Sequence, residues 1–306
     1  MSTARELRAV WALVAASGVA VAVTYARLPA HELYNVSGTG VRAGLARALV
    51  DLNFPDGLIA VAVLGVIAPF LSRRGRRLAL LSAVLCLLAL LPGVVSQSDL
   101  DAKWINVVPA VGVVLAFGLT LVARGPVSPS RARGDRLRVG ITLVLLILAA
   151  PWIAAELGYF LDGVPLLGWL FQTGAIVSYR GNAPHPAVHH GVHHGLHGLM
   201  LVVCALLLSR LPNRISLLLA LMLAYGLGNI ANDDWLEQVA ERGWTSWTIP
   251  SGLEPSLTWT WLAVLIATPV IWALWFRRGG ASGRAQGSTP RVHRRTVRPP
   301  GRSAGS

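Results

Sequence analysis

The chain has 306 residues, 54% of them hydrophobic and only 13% charged, with a mean hydropathy of +0.58. Soluble domains carry roughly 25% charged residues, so this composition excludes a disordered chain, a fibre and a conventional soluble enzyme. The net charge of +13 does not point to nucleic acid, because the basic residues stand in short clusters between long apolar runs, where membrane topology places them.

A membrane span needs about 20 mainly apolar residues to cross a hydrocarbon core of roughly 30 Å. Eight stretches qualify: 9–26, 57–72, 78–96, 105–122, 139–157, 188–209, 215–232 and 259–276. They predict an all-α fold, a polytopic integral membrane helix bundle of about eight transmembrane helices over residues 1–276. Arg5 and Arg8 precede the first stretch and no small-residue cleavage site follows it, which marks a span rather than a signal peptide. Val41, Leu45, Leu49 and Leu52 then recur at helical spacing and predict an amphipathic helix resting on the outer leaflet. The uncharged run Gly163–Ser178 predicts a re-entrant or interfacial segment near 163–178 rather than a ninth span. Residues 277–306, rich in Gly, Ser, Pro and Arg, predict a disordered basic cytoplasmic tail.

With the N-terminus in the cytoplasm, 21 of the 27 basic residues fall on the cytoplasmic side. The expectation is a multi-pass cell-membrane protein with both termini cytoplasmic. Its partners would be the lipid bilayer and a lipid or apolar substrate, with no nucleic acid. Cys86 and Cys204 both lie inside apolar runs and build no disulfide framework.

The polar chemistry collects on the opposite, outer side. Six histidines occupy thirteen residues: His185, His189, His190, His193, His194 and His197. Pro184 and Pro186 suit a first helical turn, with Asn182 or His185 as its cap. A helix running from there into the sixth span sets His190, His194 and His197 within roughly 60° of one another, with His189 and His193 adjacent. Gly191, Gly195 and Gly198 group on a neighbouring face and predict close approach of another helix. Histidines four apart on a helix can ligate one metal, and His185–His189, His189–His193, His190–His194 and His193–His197 all have that spacing. A divalent ion, zinc or iron, is the expected cofactor.

Partners from other spans complete such a site. Glu156 lies near the outer end of the fifth span, where a carboxylate is functional or paired. Tyr225, Asn229, Asn232 and Asp233 share one face of the seventh span within roughly 100°, a stripe able to orient histidines or to supply a carboxylate. Glu156 and Asp233 are therefore the expected catalytic acids. Asp99 and Asp101 could reach the same mouth, while Asp51, Asp56 and Asp162 rank lower. Trp152, Trp235, Trp244, Trp247, Trp259 and Trp261 read as an interfacial aromatic belt. Cys204 falls too deep to share the histidine site and reads as packing.

Phosphate-binding and dinucleotide-binding glycine patterns are absent, as is a Gly-x-Ser-x-Gly elbow. His31-Glu32 begins like a His-Glu-x-x-His zinc motif, but Asn35 stands at the second histidine position. Asn35-Val-Ser37 matches a glycosylation sequon.

In His185, His189 and His190 the run reads H-x-x-x-H-H, and in His190, His193 and His194 it reads H-x-x-H-H. It resembles the histidine boxes of membrane-bound fatty-acid desaturases and hydroxylases, which implies a di-iron centre. The resemblance covers these thirteen residues; those families distribute three boxes over separate, cytosol-facing segments, and the chain is not assigned to them. The expected function is a metal-dependent membrane enzyme acting on a lipid or apolar substrate. The alternatives are a metal or pH sensor, a structural membrane protein, or a proton or metal transporter component.

Overall fold

A computed structural model describes residues 5–27, 37–96, 99–123, 135–150, 153–154, 164–166, 176–177, 185–186, 194–211, 214–252 and 257–277. Among them helices dominate: α1 (Arg5–Arg27), α2 (Gly40–Asp51), α3 (Asp56–Ile67), α4 (Arg73–Leu87), α5 (Val107–Val122), α6 (Asp135–Leu148), α7 (His194–Leu208), α8 (Ser216–Trp235) and α9 (Trp259–Ile271). Local chemistry sets several of their starts. Ser72 caps α4 by accepting from the Gly75 amide at 3.1 Å, and Thr258 caps α9 by accepting from the Trp261 amide at 3.4 Å.

Each of the eight apolar stretches contains a helix, and among the described residues fewer than eight of them are long and apolar enough to cross a membrane. Three helical stretches are long and apolar enough to cross a membrane: Arg5–Arg27, Trp104–Val122 and Trp259–Phe276. A fourth is reached if Gly40–Asp51 and Asp56–Phe70, bent by 47° at a short break, count as one broken span. The described parts of α4, α6 and α7 contain 15, 14 and 15 helical residues, short of a full crossing. Twenty-residue α8 is long enough, but Asn229, Asn232, Asp233 and Asp234 dilute its apolar character.

The expected helix start near Pro184 is also corrected. His185–Pro186 is extended and pairs antiparallel with Ile176–Val177, in the register Val177 to His185. A residue before proline is pushed out of the helical region by the pyrrolidine ring, and His185 precedes Pro186. The described part of α7 runs from His194. Most of 163–178 lies outside the described residues, as do Asn35 and the tail from 278 onward.

Packing is close where side chains are small. A Cβ added to Gly112 of α5 would meet the Cys86 amide nitrogen and Sγ of α4 at 2.8 Å, and Ser82 Oγ donates to the Gly112 carbonyl at 2.6 Å. Helices α7 and α8 touch at Gly198 and Gly226, as the glycine face predicts: a Cβ on Gly198 would fall 2.4 Å from the Gly226 oxygen. Trp11 of α1 donates to Thr120 of α5 at 3.2 Å within the core.

The bundle has two polar ends and an apolar middle. At one end Arg210, just past α7, reaches Glu6 of α1 at 2.7 Å and Asp135 of α6 at 3.2 Å. Arg138 pairs with Asp135, donates to Ser209 at 3.1 Å and lies over the Trp275 ring. The other end carries His197, roughly 20 Å away along α7. Between them Ile59, Val63, Leu201, Ala205, Leu219 and Met222 are fully buried.

Candidate functional site

The His197 end is built from residues of α1, α2, α3, α7, α8 and α9. Helix α2 turns its polar side inward: Val41 and Leu45 are 71% and 63% exposed, whereas Arg47 and Asp51 are each 2% exposed. Val41 and Leu45 of the expected apolar stripe therefore face away from the bundle, Leu52 packs against the core, and an ion pair faces in. Arg47 Nη1 lies 3.2 Å from Asp51 Oδ1, with the guanidinium over the Tyr25 ring at 5.5 Å. The same Asp51 oxygen stands 3.6 Å from His197 Nε2.

The break between α2 and α3 is satisfied by two asparagines. Asn53 Nδ2 donates to the Leu49 and Asn106 carbonyls at 2.8 and 2.9 Å. Asn106 Nδ2 donates to Asn53 Oδ1 at 3.0 Å and to the Val94 carbonyl at 2.7 Å. Irregular backbone inside a bundle persists only when its polar groups find such partners. Phe54, in the break, sets its ring edge-on to His197 at 5.6 Å and to Tyr225 at 5.9 Å. Asp56 opens α3 at 1% exposure, and its Oδ1 has no hydrogen-bond partner among the described residues.

Helix α8 supplies the predicted stripe, and all of it is buried: Tyr225, Asn229, Asn232 and Asp233. Asp233 Oδ2 accepts from the Gly195 amide, which ties α8 to α7. Residues 247–252 fold over this stripe. Asn232 donates to the Ile249 carbonyl at 2.6 Å, Thr260 donates to the Pro250 carbonyl, and a Cβ on Gly252 would lie 3.4 Å from Asn229 Oδ1.

Of the expected metal ligands, His197 is fully described. His194 is placed only as the first residue of α7 and His185 only as strand backbone, while His189, His190, His193 and Glu156 lie outside the described residues. Among the described residues no group of three or more His, Cys, Asp or Glu side chains is placed to hold a metal ion. What is present fits part of such a site: a half-buried imidazole and a buried carboxylate from different helices, 3.6 Å apart.

The remaining acids divide. Asp101 accepts from the Ser37 amide at 3.0 Å and Asp99 pairs with Lys103 at 3.1 Å, so both serve their own loops. Asp51 and Asp56, ranked low by sequence, belong to the site. The signal for Asp51 was legible: Arg47 and Asp51 stand four apart on the side of α2 opposite Val41, Leu45 and Leu52. Trp244, Trp247 and Trp259 are exposed as a belt requires, but Trp261 stacks on Tyr225 at 5.1 Å and forms part of the site wall. Cys204 is buried in the core.

No protein-family model matches the chain, and no curated protein or solved structure shows detectable similarity to it.

Proposed function

We propose that the chain is a multi-pass membrane enzyme that uses a divalent metal, zinc or iron, to act on a lipid or other apolar substrate. The observation that carries this reading is the delivery of carboxylates from two other helices to the histidine-bearing end of α7. Asp51 comes from α2 to His197, and Asp233 from α8 to the Gly195 amide. His197 and the histidines of 189–194 would hold the metal. A bound metal would polarise a substrate carbonyl or make a bound water more acidic. The chain itself contributes a buried setting, an imidazole facing Asp51, and a Gly195 amide held by Asp233.

The full topology is part of the proposal: eight spans, both termini cytoplasmic, and the histidine end on the outer side. It is supported by the meeting of Glu6, Asp135 and Arg210 at one end of the bundle, since the alternation of spans assigns all three to the same side. An enzyme accounts for the fold better than a transporter. The described residues between the two polar ends form a buried apolar layer around Ile59, Val63, Leu201 and Met222, where a translocation route would need polar groups.

The test is metal content. The wild-type protein, purified without added chelator, should carry zinc or iron, and the variant His190→Ala/His194→Ala/His197→Ala should lose it. Equal metal in both would remove the site.

A further inference from the structure

The start of α4 lies at the opposite end of the bundle from His197. A Cβ on Gly65 of α3 would fall 2.5 Å from Ile215 Cγ2, so α3 runs from the His197 end toward the turn between α7 and α8. The chain then turns through Ala68–Phe70 and returns as α4, whose far end reaches the start of α3: a Cβ on Gly57 would stand 3.3 Å from the Cys86 carbonyl oxygen. Helix α4 opens Arg73-Arg74-Gly75-Arg76-Arg77 with no acid in its first turn, and all four arginines are exposed. The described ion pairs lie elsewhere, at Arg47, Lys103, Arg138 and Arg210. Arg76 Nη1 donates to the Leu71 carbonyl at 3.2 Å, a neutral partner that leaves its charge unbalanced. Like charges this close repel, and cations at a helix start oppose the helix dipole. The four guanidinia are therefore unfavourable for α4 by itself, and an anion lying across them reverses the sign.

The rest of the same face is apolar. At 100° per residue Arg73, Arg77, Leu80, Val84 and Leu87 fall within roughly 80° of one another, and Arg74 and Arg76 flank them. Leu80, Val84 and Leu87 are exposed at 68%, 48% and 42%. On the opposite side Ala79, Ser82 and Cys86 are buried, the last two against Gly112 of α5. The outward face thus has the order of a lipid molecule, with charge at one end and a hydrocarbon track running from it. We propose that this face of α4 binds an anionic glycerophospholipid, its phosphate across Arg73 and Arg77 and its acyl chains along Leu80, Val84 and Leu87. Charge complementarity selects the occupant. The guanidinium fork matches phosphate oxygens, and a zwitterionic lipid brings a cation of its own into the arginine cluster. A soluble phosphate would use the arginines and leave the track beneath them unread. Nothing in this site draws on the histidine end.

The test reconstitutes the full-length protein in phosphatidylcholine vesicles with a trace of spin-labelled phosphatidylglycerol or spin-labelled phosphatidylcholine. Paramagnetic resonance then gives the relative affinity for each lipid. Wild type should prefer phosphatidylglycerol. A basic residue near an anionic lipid surface contributes about 5-fold to binding, so Arg73→Gln/Arg77→Gln should lower that preference by at least about 5-fold. Arg5→Gln/Arg8→Gln removes the same charge from exposed positions of α1 and should change it little. Glutamine also relieves the repulsion within α4, so Arg73→Gln/Arg77→Gln should melt no lower than wild type in phosphatidylcholine. Replacing that lipid with phosphatidylglycerol should raise the melting temperature of wild type and not of the variant. An unchanged preference in Arg73→Gln/Arg77→Gln overturns the site. Equal losses in the two double variants overturn it as well, because the attraction then belongs to the net charge and not to α4. Displacement of the labelled lipid by inorganic phosphate as readily as by unlabelled phosphatidylglycerol would reassign the arginines to a soluble anion.

Discussion

Helices α7 and α8 carry both polar ends of the site, and their separation is set by two glycines. In Gly198→Ala the new methyl would stand 2.4 Å from the Gly226 carbonyl oxygen, 3.0 Å from Ile230 Cγ1 and 3.2 Å from Asn229 Cβ. The first of these obstacles is backbone, so no rotamer change relieves it. The helices must part by about 1 Å, which forfeits a quarter to a half of each contact well along the seam. Overpacking of this kind costs about 1–3 kcal/mol, offset in part by the gain of about 0.5–1 kcal/mol for alanine over glycine in a helix. The expected net loss is about 1–2 kcal/mol. Gly118→Ala in α5 is the control, because nothing lies within 4 Å of its added methyl, and it should gain about 0.5–1 kcal/mol. Denaturant unfolding of both variants in one detergent measures the contrast. Gly198→Ala as stable as Gly118→Ala would refute the close-contact argument.

Three further outcomes are expected. Glu6→Gln removes the charge from a carboxylate that is 3% exposed and bonded to Arg210 at 2.7 Å, and should lower stability by about 1–3 kcal/mol in the same assay. Asp56→Asn keeps the shape of a buried side chain whose Oδ1 has no hydrogen-bond partner among the described residues, so it should leave the melting temperature unchanged or higher; a marked fall would mean the site relies on that carboxylate. Asp99 is held below the usual carboxylate range by the hydrogen bond from Lys103. Its small stabilising contribution is present above the unfolded carboxylate value and is lost as pH falls through the lowered folded value. Lys103→Met should move the Asp99 titration upward, as read by NMR.

How far the sequence predicts this site differs from helix to helix. The α8 stripe was legible because 100° per residue places Tyr225, Asn229, Asn232 and Asp233 together, and the fold buries all of them. The glycine face of α7 was legible for the same reason. Helix α2 was read in the right place but from its outward side. An apolar stripe in a membrane protein marks the surface that meets lipid, so the side that packs is the polar one, carrying Arg47 and Asp51. Asp56 was hidden by its position between two helical patterns, where periodicity assigns no face. The helix start at Pro184 failed because the rule favouring proline in a first turn competes with the rule against helical geometry before proline, and at His185 the second rule wins. Fewer than eight described helices reach spanning length because hydropathy locates apolar runs without measuring how many residues of each become continuous described helix.

The bond from Arg210 to Glu6 joins groups 204 residues apart. Translation delivers Glu6 204 residues before its partner Arg210. During biogenesis the first helix must therefore wait, with an acid at its base still bathed in water, until the later staves arrive.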